Sequence, residues 1–464
     1  MSIAMLPDLR ILASEMRAGT RSCIELVQSA IAGREASEAH GASADSIGPY
    51  ITWNAEAARQ QAAVADRVFR AGMDAGPLQG IPVSIKDLFG VRGWPTYAGM
   101  DCALPTLWQT EGPLVSCMRS QLCVLMGKTH MVELAFGGLG TNAHWGTPRN
   151  PLDVAVHRVP GGSSSGAGVS LVEGSALIAL ATDTAGSVRI PASMTGVVGL
   201  KTTVGRWSTD GLVPLSSTFD SVGLLARSVR DLAFAFEAID RVCGRGERVR
   251  ARSLSGCRFG VPDRLFREGL SPGIDDAFER GLRWVERAGA KLVSFELPSS
   301  VEAYEIFKQG GLAGAELAAF LEEALPNRVD GLDPSVWDRI YGASSLSATE
   351  YLKRRRRLEV LSCDAWERMA EVDGLLTPTV AVTPPLVEEV GVLGDYRRCN
   401  LLALRNTSIG NLLSLCALTL PVGRDLVGMP VGFQVMGVAG LDAGLLGLGL
   451  GIERCIDGAG FLPR

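Results

Sequence analysis

The segment VPGGSSSGAGVSLVEGSALIALATDTAGSVRIPAS, residues 159–193, sets two serine-bearing turns around one apolar run. Its first part gathers Ser163, Ser164 and Ser165 between glycines. Glycine and serine are common in flexible linkers. Here, however, the block runs directly into GAGVSLVEG, which fits a helix, and then into SALIALAT (175–182), which fits a strand without polar alternation. Continuous apolar strands belong to sheets covered on both faces. The strand leaves through Thr184-Ala185-Gly186 and presents Ser187. Small residues at a strand end let successive backbone N–H groups point into one concavity. In open α/β sheets, ligands collect at such strand ends.

Outward from this segment, helical and strand patterns alternate along the whole chain. Residues 8–35 read as a helix followed by a polar loop, ASEAHGASADS. Residues 54–72 are alanine-rich and helical, with a stop at Gly72, and GIPVSIKD (80–87) is a short β-rich run ending in charge. Residues 113–126 carry apolar residues at helical spacing. Beyond a charged connector, VCGRGERVRARSLSG (242–256), come a strand in CRFGVPD, a helix over 273–289 and a mainly helical stretch over 312–371. Three strands are expected in GLLTPTVAVTPP, ALTLPVG and MPVGFQVMG, and a packed helix in LDAGLLGLGLGIERCI. Alternation of this kind predicts an α/β architecture.

The bulk composition narrows the function. The chain has 464 residues, of which 47% are hydrophobic and 20% charged, enough apolar material for a large core. A net charge of −5 and a pI near 5.6 argue against a nucleic-acid surface. The basic run YLKRRRRLEV (351–360) reads as a solvated helix face, because glutamates flank it. No run of about 18 apolar residues is present, so no membrane span is expected. The N-terminus does not read as a secretory signal. Ten cysteines lie scattered without a C-x-x-C pair or a Cys/His cluster. Reduced thiols in a cytoplasmic protein are therefore expected, with no metal site. GKTH (127–130) is not a P-loop, since the position five residues before Gly127 is Leu122, so no nucleotide cofactor is expected.

If a serine in the block is catalytic, it needs a base. Gly162–Gly166 fits the G-x-S-x-G elbow, but that arrangement requires a later histidine. All four histidines, His40, His130, His144 and His157, precede Ser163. The chymotrypsin order allows an upstream histidine, yet no G-D-S-G-type segment occurs. S-x-x-K is absent at all six lysines. What remains is a serine activated by lysine, or no catalysis. Lys86, at the end of GIPVSIKD, is the candidate.

Together, GGSSSGAG, the downstream ATDTAGSVRIPAS and the upstream GIPVSIKD resemble the amidase signature family. Ser163 and Ser187 stand 24 residues apart, as in that family. MVELAFGGLGTNAHWGTPRNP, GVVGLKTTVGRWSTDGLVPLSSTFDSVGLLARSV and NTSIGNLLSLCALTLPVG extend the resemblance over most of the chain. It implies a single large α/β/α domain over 1–464 with a central mixed β-sheet covered by helices. The signature core would span about 76–232 and a variable, substrate-determining region about 242–400.

The resemblance also implies roles. Ser187 would be the acyl-forming nucleophile. Ser163, following a cis peptide bond, would be the bridging serine, and Lys86 the terminal base. Backbone N–H groups of Thr184, Ala185, Gly186 and Ser187 would bind the oxyanion, and Asp183, Arg189 and Ser165 would support the loop. Ser164 and Ser165 would cap the helix or orient the relay. Ala185 replaces a glycine of the usual pattern, which matters only if that residue needs positive φ. Family allophanate hydrolases carry the same alanine together with an extra C-terminal domain, which is not expected here.

Pocket residues are expected from FGGLGTN (136–142), GWPTYAGM (93–100) and the 300–400 region. Phe136, Gly137, Thr141 and Tyr97, with Trp94, are the candidates, and the aromatics suggest an apolar or aryl amide. The expected reaction is hydrolysis of a small-molecule amide to an acid and ammonia or amine, without cofactor, in a protein that could form a homodimer. The alternative is a glutamine-hydrolysing A-type subunit of a transamidating, aminoacyl-tRNA amidotransferase-like complex.

Overall fold

The computed structural model describes residues 7–40, 47–262 and 264–458. The first six residues and positions 41–46 of the polar loop lie outside them. Eleven strands form one sheet: β1 Tyr50–Trp53, β2 Pro82–Lys86, β3 Val124–Thr129, β4 Ile178–Asp183, β5 Val198–Lys201, β6 Ser221–Ala226, β7 Arg258–Pro262, β8 Lys291–Phe295, β9 Gly374–Pro378, β10 Cys416–Arg424 and β11 Pro430–Gly437. Their spatial order is β1-β3-β2-β4-β6-β5-β10-β11-β9-β7-β8. β2 runs parallel to both β3 and β4, and β7 parallel to β8 and β9. The remaining neighbours are antiparallel. The sheet is therefore mixed, and strands from both sides of the 242–256 connector enter it.

Side-chain alternation along β4 divides the core. Ile178 and Leu180 face one side, in the cluster with Leu232 and Phe236 of the helix Val229–Cys243. Ala179 and Ala181 face the other, with Ala167 and Leu171 of the helix Ser165–Glu173 and Ala192 of the helix Arg189–Thr195. Successive strand residues must point to opposite faces, so a strand apolar throughout is buried throughout. The small side chains of Ala179 and Ala181 bring the serine-bearing helix close to the sheet. The C-terminal helix Asp442–Gly458 follows the strands, and its Leu445, Leu446 and Leu448 are buried.

Two local readings change and a third is resolved into its parts. The helix expected over 8–35 is two, Leu9–Ala18 and Cys23–His40. Gly19 at φ +71° ends the first, and Asp8 accepts a bond from Ile11 N (2.9 Å) at its start. Residues 113–126 are a helix only over Pro113–Ser120. The chain turns at Leu122, φ +54°, and the rest of the apolar run becomes β3. A short apolar run does not distinguish helix from buried strand by periodicity alone. The 312–371 stretch is helical in three pieces, Ala313–Ala324, Pro334–Ser344 and Ala348–Met369. Among the described residues, no helix is long and apolar enough to cross a membrane.

Candidate active site

β2 and β4 are parallel neighbours, so the ends of both strands reach the same edge of the sheet. Lys86 closes β2 and Asp183 closes β4. Lys86 is fully buried, and its Nζ donates to Ser163 Oγ at 2.7 Å and to Thr182 Oγ1 at 3.0 Å. Burial brings the Lys86 ammonium down to about 7, while Asp220 and then Asp183 pull the other way. The amine is thus available in its neutral form near pH 7. The Gly162–Ser163 peptide bond is cis.

The turn after β4 is fixed on all sides. Arg189 and Asp183, neither exposed, form two bonds, Nε to Oδ2 at 3.0 Å and Nη2 to Oδ1 at 2.9 Å. Asn411 Nδ2 donates to Asp183 Oδ1 (2.9 Å), and Arg189 Nη1 to Gln434 Oε1 (2.7 Å). Thr184 Oγ1 donates to Asp220 Oδ1 (2.6 Å), and Thr407 Oγ1 to the Ala185 carbonyl (2.8 Å). Ser164 N donates to the Ser187 carbonyl (3.3 Å), which joins the turn to the serine block. Ala185 has negative φ, whereas Gly186 stands at +141°. Alanine is therefore tolerated at 185. Among the described residues, no protein acceptor takes the backbone N–H groups of Thr184, Ala185, Gly186 or Ser187. Four N–H groups on one turn suit an oxyanion.

Ser187, Thr184 and Ala185 open on a pocket with apolar walls that include Phe136, Gly137, Phe219, Phe307 and Leu404. Tyr97 and Thr141 are not among its lining residues. Tyr97 packs edge-on against Trp145 (4.9 Å), and Trp94 packs on the main core. Ser164 occupies the N-cap of its helix without a side-chain cap bond, and neither Ser164 Oγ nor Ser165 Oγ has a partner among the described residues. Capping is thus not their role. His144 Nε2 meets Glu133 Oε1 (2.8 Å) and His157 Nε2 the Thr147 carbonyl (3.1 Å); burial lowers His130 to about 4. None of these three bonds to Ser163 or Ser187. Among the described residues, no His, Cys, Asp and Glu cluster is arranged to hold a metal ion.

Asp220, Thr407, Asn411 and Gln434 were not singled out in the sequence. Their only signal was membership of longer stretches, FDSVG and NTSIGN among them.

The family model for amidases matches residues 35–446 of this chain. The chain belongs to the amidase family. A relative from Comamonas testosteroni, 2-amino-5-chloromuconic acid deaminase, is 52% identical over 410 residues, 88% of this chain and 89% of the relative. A glutamyl-tRNA(Gln) amidotransferase subunit from Symbiobacterium thermophilum is 32% identical, covering 92% of each chain. A solved amidase structure superposes with a TM-score of 0.85 at 32% identity, covering 97% of this chain and 99% of that one. As an amidase-family protein, the chain is a hydrolase acting on C–N bonds. The tRNA-dependent amidotransferase subunits are the more distant relatives.

Proposed function

We propose that the chain releases ammonia from a small C–N substrate through a covalent intermediate on Ser187, with Ser163 as relay and Lys86 as base. For an amide, Ser187 Oγ attacks the carbonyl carbon and its proton passes through Ser163 to neutral Lys86. The N–H groups of residues 184–187 hold the oxyanion. Collapse breaks the C–N bond, and the leaving nitrogen takes the proton back along the same path. Water, deprotonated by the same relay, then cleaves the ester. A hydroxyl both donates and accepts, so Ser163 suits the middle position.

The observation that carries this reading is the 2.7 Å bond from the buried Lys86 amine, brought to about 7, to Ser163 Oγ. A charged lysine could not accept the proton. The name of the Comamonas relative supports ammonia as the leaving group. The walls at Phe219, Phe307 and Leu404 support a small hydrocarbon body. The test is ammonia release from a panel of primary amides together with 2-amino-5-chloromuconic acid. Turnover by the native chain and none by Ser187→Ala is the expected result. Undiminished turnover by Ser187→Ala would refute the assignment.

A further inference from the structure

Two walls of the pocket come from parts of the chain far apart in sequence. Leu215 and Phe219 lie on the loop before β6, and Ala313 opens the helix Ala313–Ala324. Glu316, in the first turn of that helix, ties the two together. Its Oε2 accepts from Ser216 Oγ (2.6 Å), Ser217 Oγ (3.3 Å) and Thr218 N (3.1 Å), and its Oε1 from Thr218 Oγ1 (2.7 Å). Tyr351, on the helix Ala348–Met369, donates its hydroxyl to the same Oε1 at 2.8 Å. The donors are hydroxyls and one backbone N–H, with no cation among them. A carboxylate offers about four lone-pair directions, so this one is fully committed to the loop and to Tyr351.

The loop so held is the one that carries Asp220. Leu215 N (2.9 Å) and Ser216 N (3.0 Å) donate to Asp220 Oδ2, and Thr184 Oγ1 donates to its Oδ1 (2.6 Å). β4 and β6 pair antiparallel with Asp183 opposite Ser221, and Ser221 Oγ donates to the Asp183 carbonyl (2.7 Å). Asp220 therefore stands where the chain leaves β4 for the oxyanion turn. A continuous path of bonds runs from two helices through Glu316, residues 216–218 and Asp220 to Thr184, the first residue of that turn. A misplacement of about 1 Å costs about 100-fold in rate, so the anchorage of this loop bears on the chemistry.

We propose that Glu316 is a positioning residue for the reaction at Ser187: it clamps residues 216–218 and, through Asp220, sets the Thr184 end of the oxyanion turn. The clamp works by geometry and not by charge. Hydroxyls both donate and accept. A glutamine would therefore keep its amide oxygen on Thr218 N and turn its NH2 group to Thr218 Oγ1 and the Tyr351 hydroxyl. An apolar side chain would leave every one of these donors without an acceptor. This rests on the proposed role of Ser187, so the nucleophile and the clamp are read separately.

The experiment is the rate of fluorophosphonate labelling, mapped by peptide mass spectrometry, in variants that keep the native circular dichroism. Glu316→Leu should label Ser187 about 10-fold or more slowly, and Glu316→Gln should recover the native rate to within about threefold. Thr184→Val removes the hydroxyl at the far end of the path and should also lose about 10-fold. Glu316→Leu combined with Thr184→Val should be slower than the slower single variant by no more than about twofold, because both cut one path. Thr218→Val removes one bond of the clamp and should lose about threefold; it takes the place of Glu316→Leu in the same comparison if that protein does not fold. Native-rate labelling in Glu316→Leu, equal losses in Glu316→Leu and Glu316→Gln, or losses that multiply in the double variant would overturn the proposal while leaving Ser187 as nucleophile. An adduct away from Ser187 in the native protein would overturn the nucleophile itself, and the role of the clamp with it.

Discussion

Asp183 and Arg189 face each other through paired bonds of 3.0 and 2.9 Å in complete burial, one at the end of a strand and the other opening the next helix. Burial works to raise the Asp183 carboxyl, but Arg189 foremost, then Lys201 and Asn411, hold it down at about 2. A folded value below the ordinary one means that this pair's stabilisation is fully present above about pH 4 and fades as pH falls towards 2. Arg189→Met would leave a buried carboxylate unpaired, at a cost of about 3–5 kcal/mol. Acid unfolding followed by circular dichroism should move to higher pH in this variant. An unchanged acid midpoint would show that the pair does not hold the turn.

Gly186 is the position in the turn that admits no side chain. Its φ is +141°, and a Cβ would meet Thr407 Oγ1 at 2.2 Å. Gly186→Ala should lower kcat by about 100-fold or more, because the N–H groups of the turn would be displaced. Ala185→Gly should change kcat by less than about threefold, since alanine there already adopts ordinary φ. Steady-state kinetics of the two variants check this pair, and similar losses in both would contradict it.

At neutral pH the Lys86 shift lowers stability, where that of Asp183 adds to it. The folded value of Lys86 is lowered from 10.5 to about 7. Between those values the unfolded chain holds a proton that the folded chain has released, so stability rises with pH across that window. Lys86→Met should therefore raise Tm at neutral pH while abolishing turnover, a trade familiar at active sites. Calorimetry at pH 7 checks it, and a Tm several degrees below the native value would contradict it.

The same titration sets the pH profile. The native kcat/KM should climb about tenfold per unit below pH 7 and level off above it. Lys86→Arg should be nearly inactive throughout, because guanidinium stays protonated. A flat profile between pH 5 and 8 would place the base elsewhere.

Much of this site was legible because its chemistry is local in sequence. Ser163 and Ser187 flank one strand, and that strand's unbroken apolar run announced a sheet covered on both faces. Lys86 was visible at the end of a β-rich segment. The supporting groups were not legible in the same way. Asn411 and Gln434 reach the Asp183–Arg189 pair from more than 220 residues away, and a contact made through sheet neighbours leaves no local pattern. Glu316 sat in a helical stretch beside other glutamates, and only its bonds to residues 216–218 set it apart. The run over 113–126 misled because apolar spacing suited a helix, while the turn at Leu122 depends on packing. Tyr97 illustrates the bland outcome for a loop aromatic, packing against Trp145 instead of lining the pocket.

The central claim is that Ser187 carries the covalent intermediate while Lys86, through Ser163, draws off its proton. The most direct measurement is peptide mass spectrometry of the chain after brief exposure to a fluorophosphonate, with labelling rates compared among the native, Ser163→Ala, Lys86→Ala and Ser187→Ala proteins. The adduct should map to Ser187, form at least about 100-fold more slowly in Ser163→Ala and Lys86→Ala, and be absent from Ser187→Ala. An adduct on Ser163, Ser164 or Ser165, or labelling of Ser187 at the native rate without Lys86, would contradict the account.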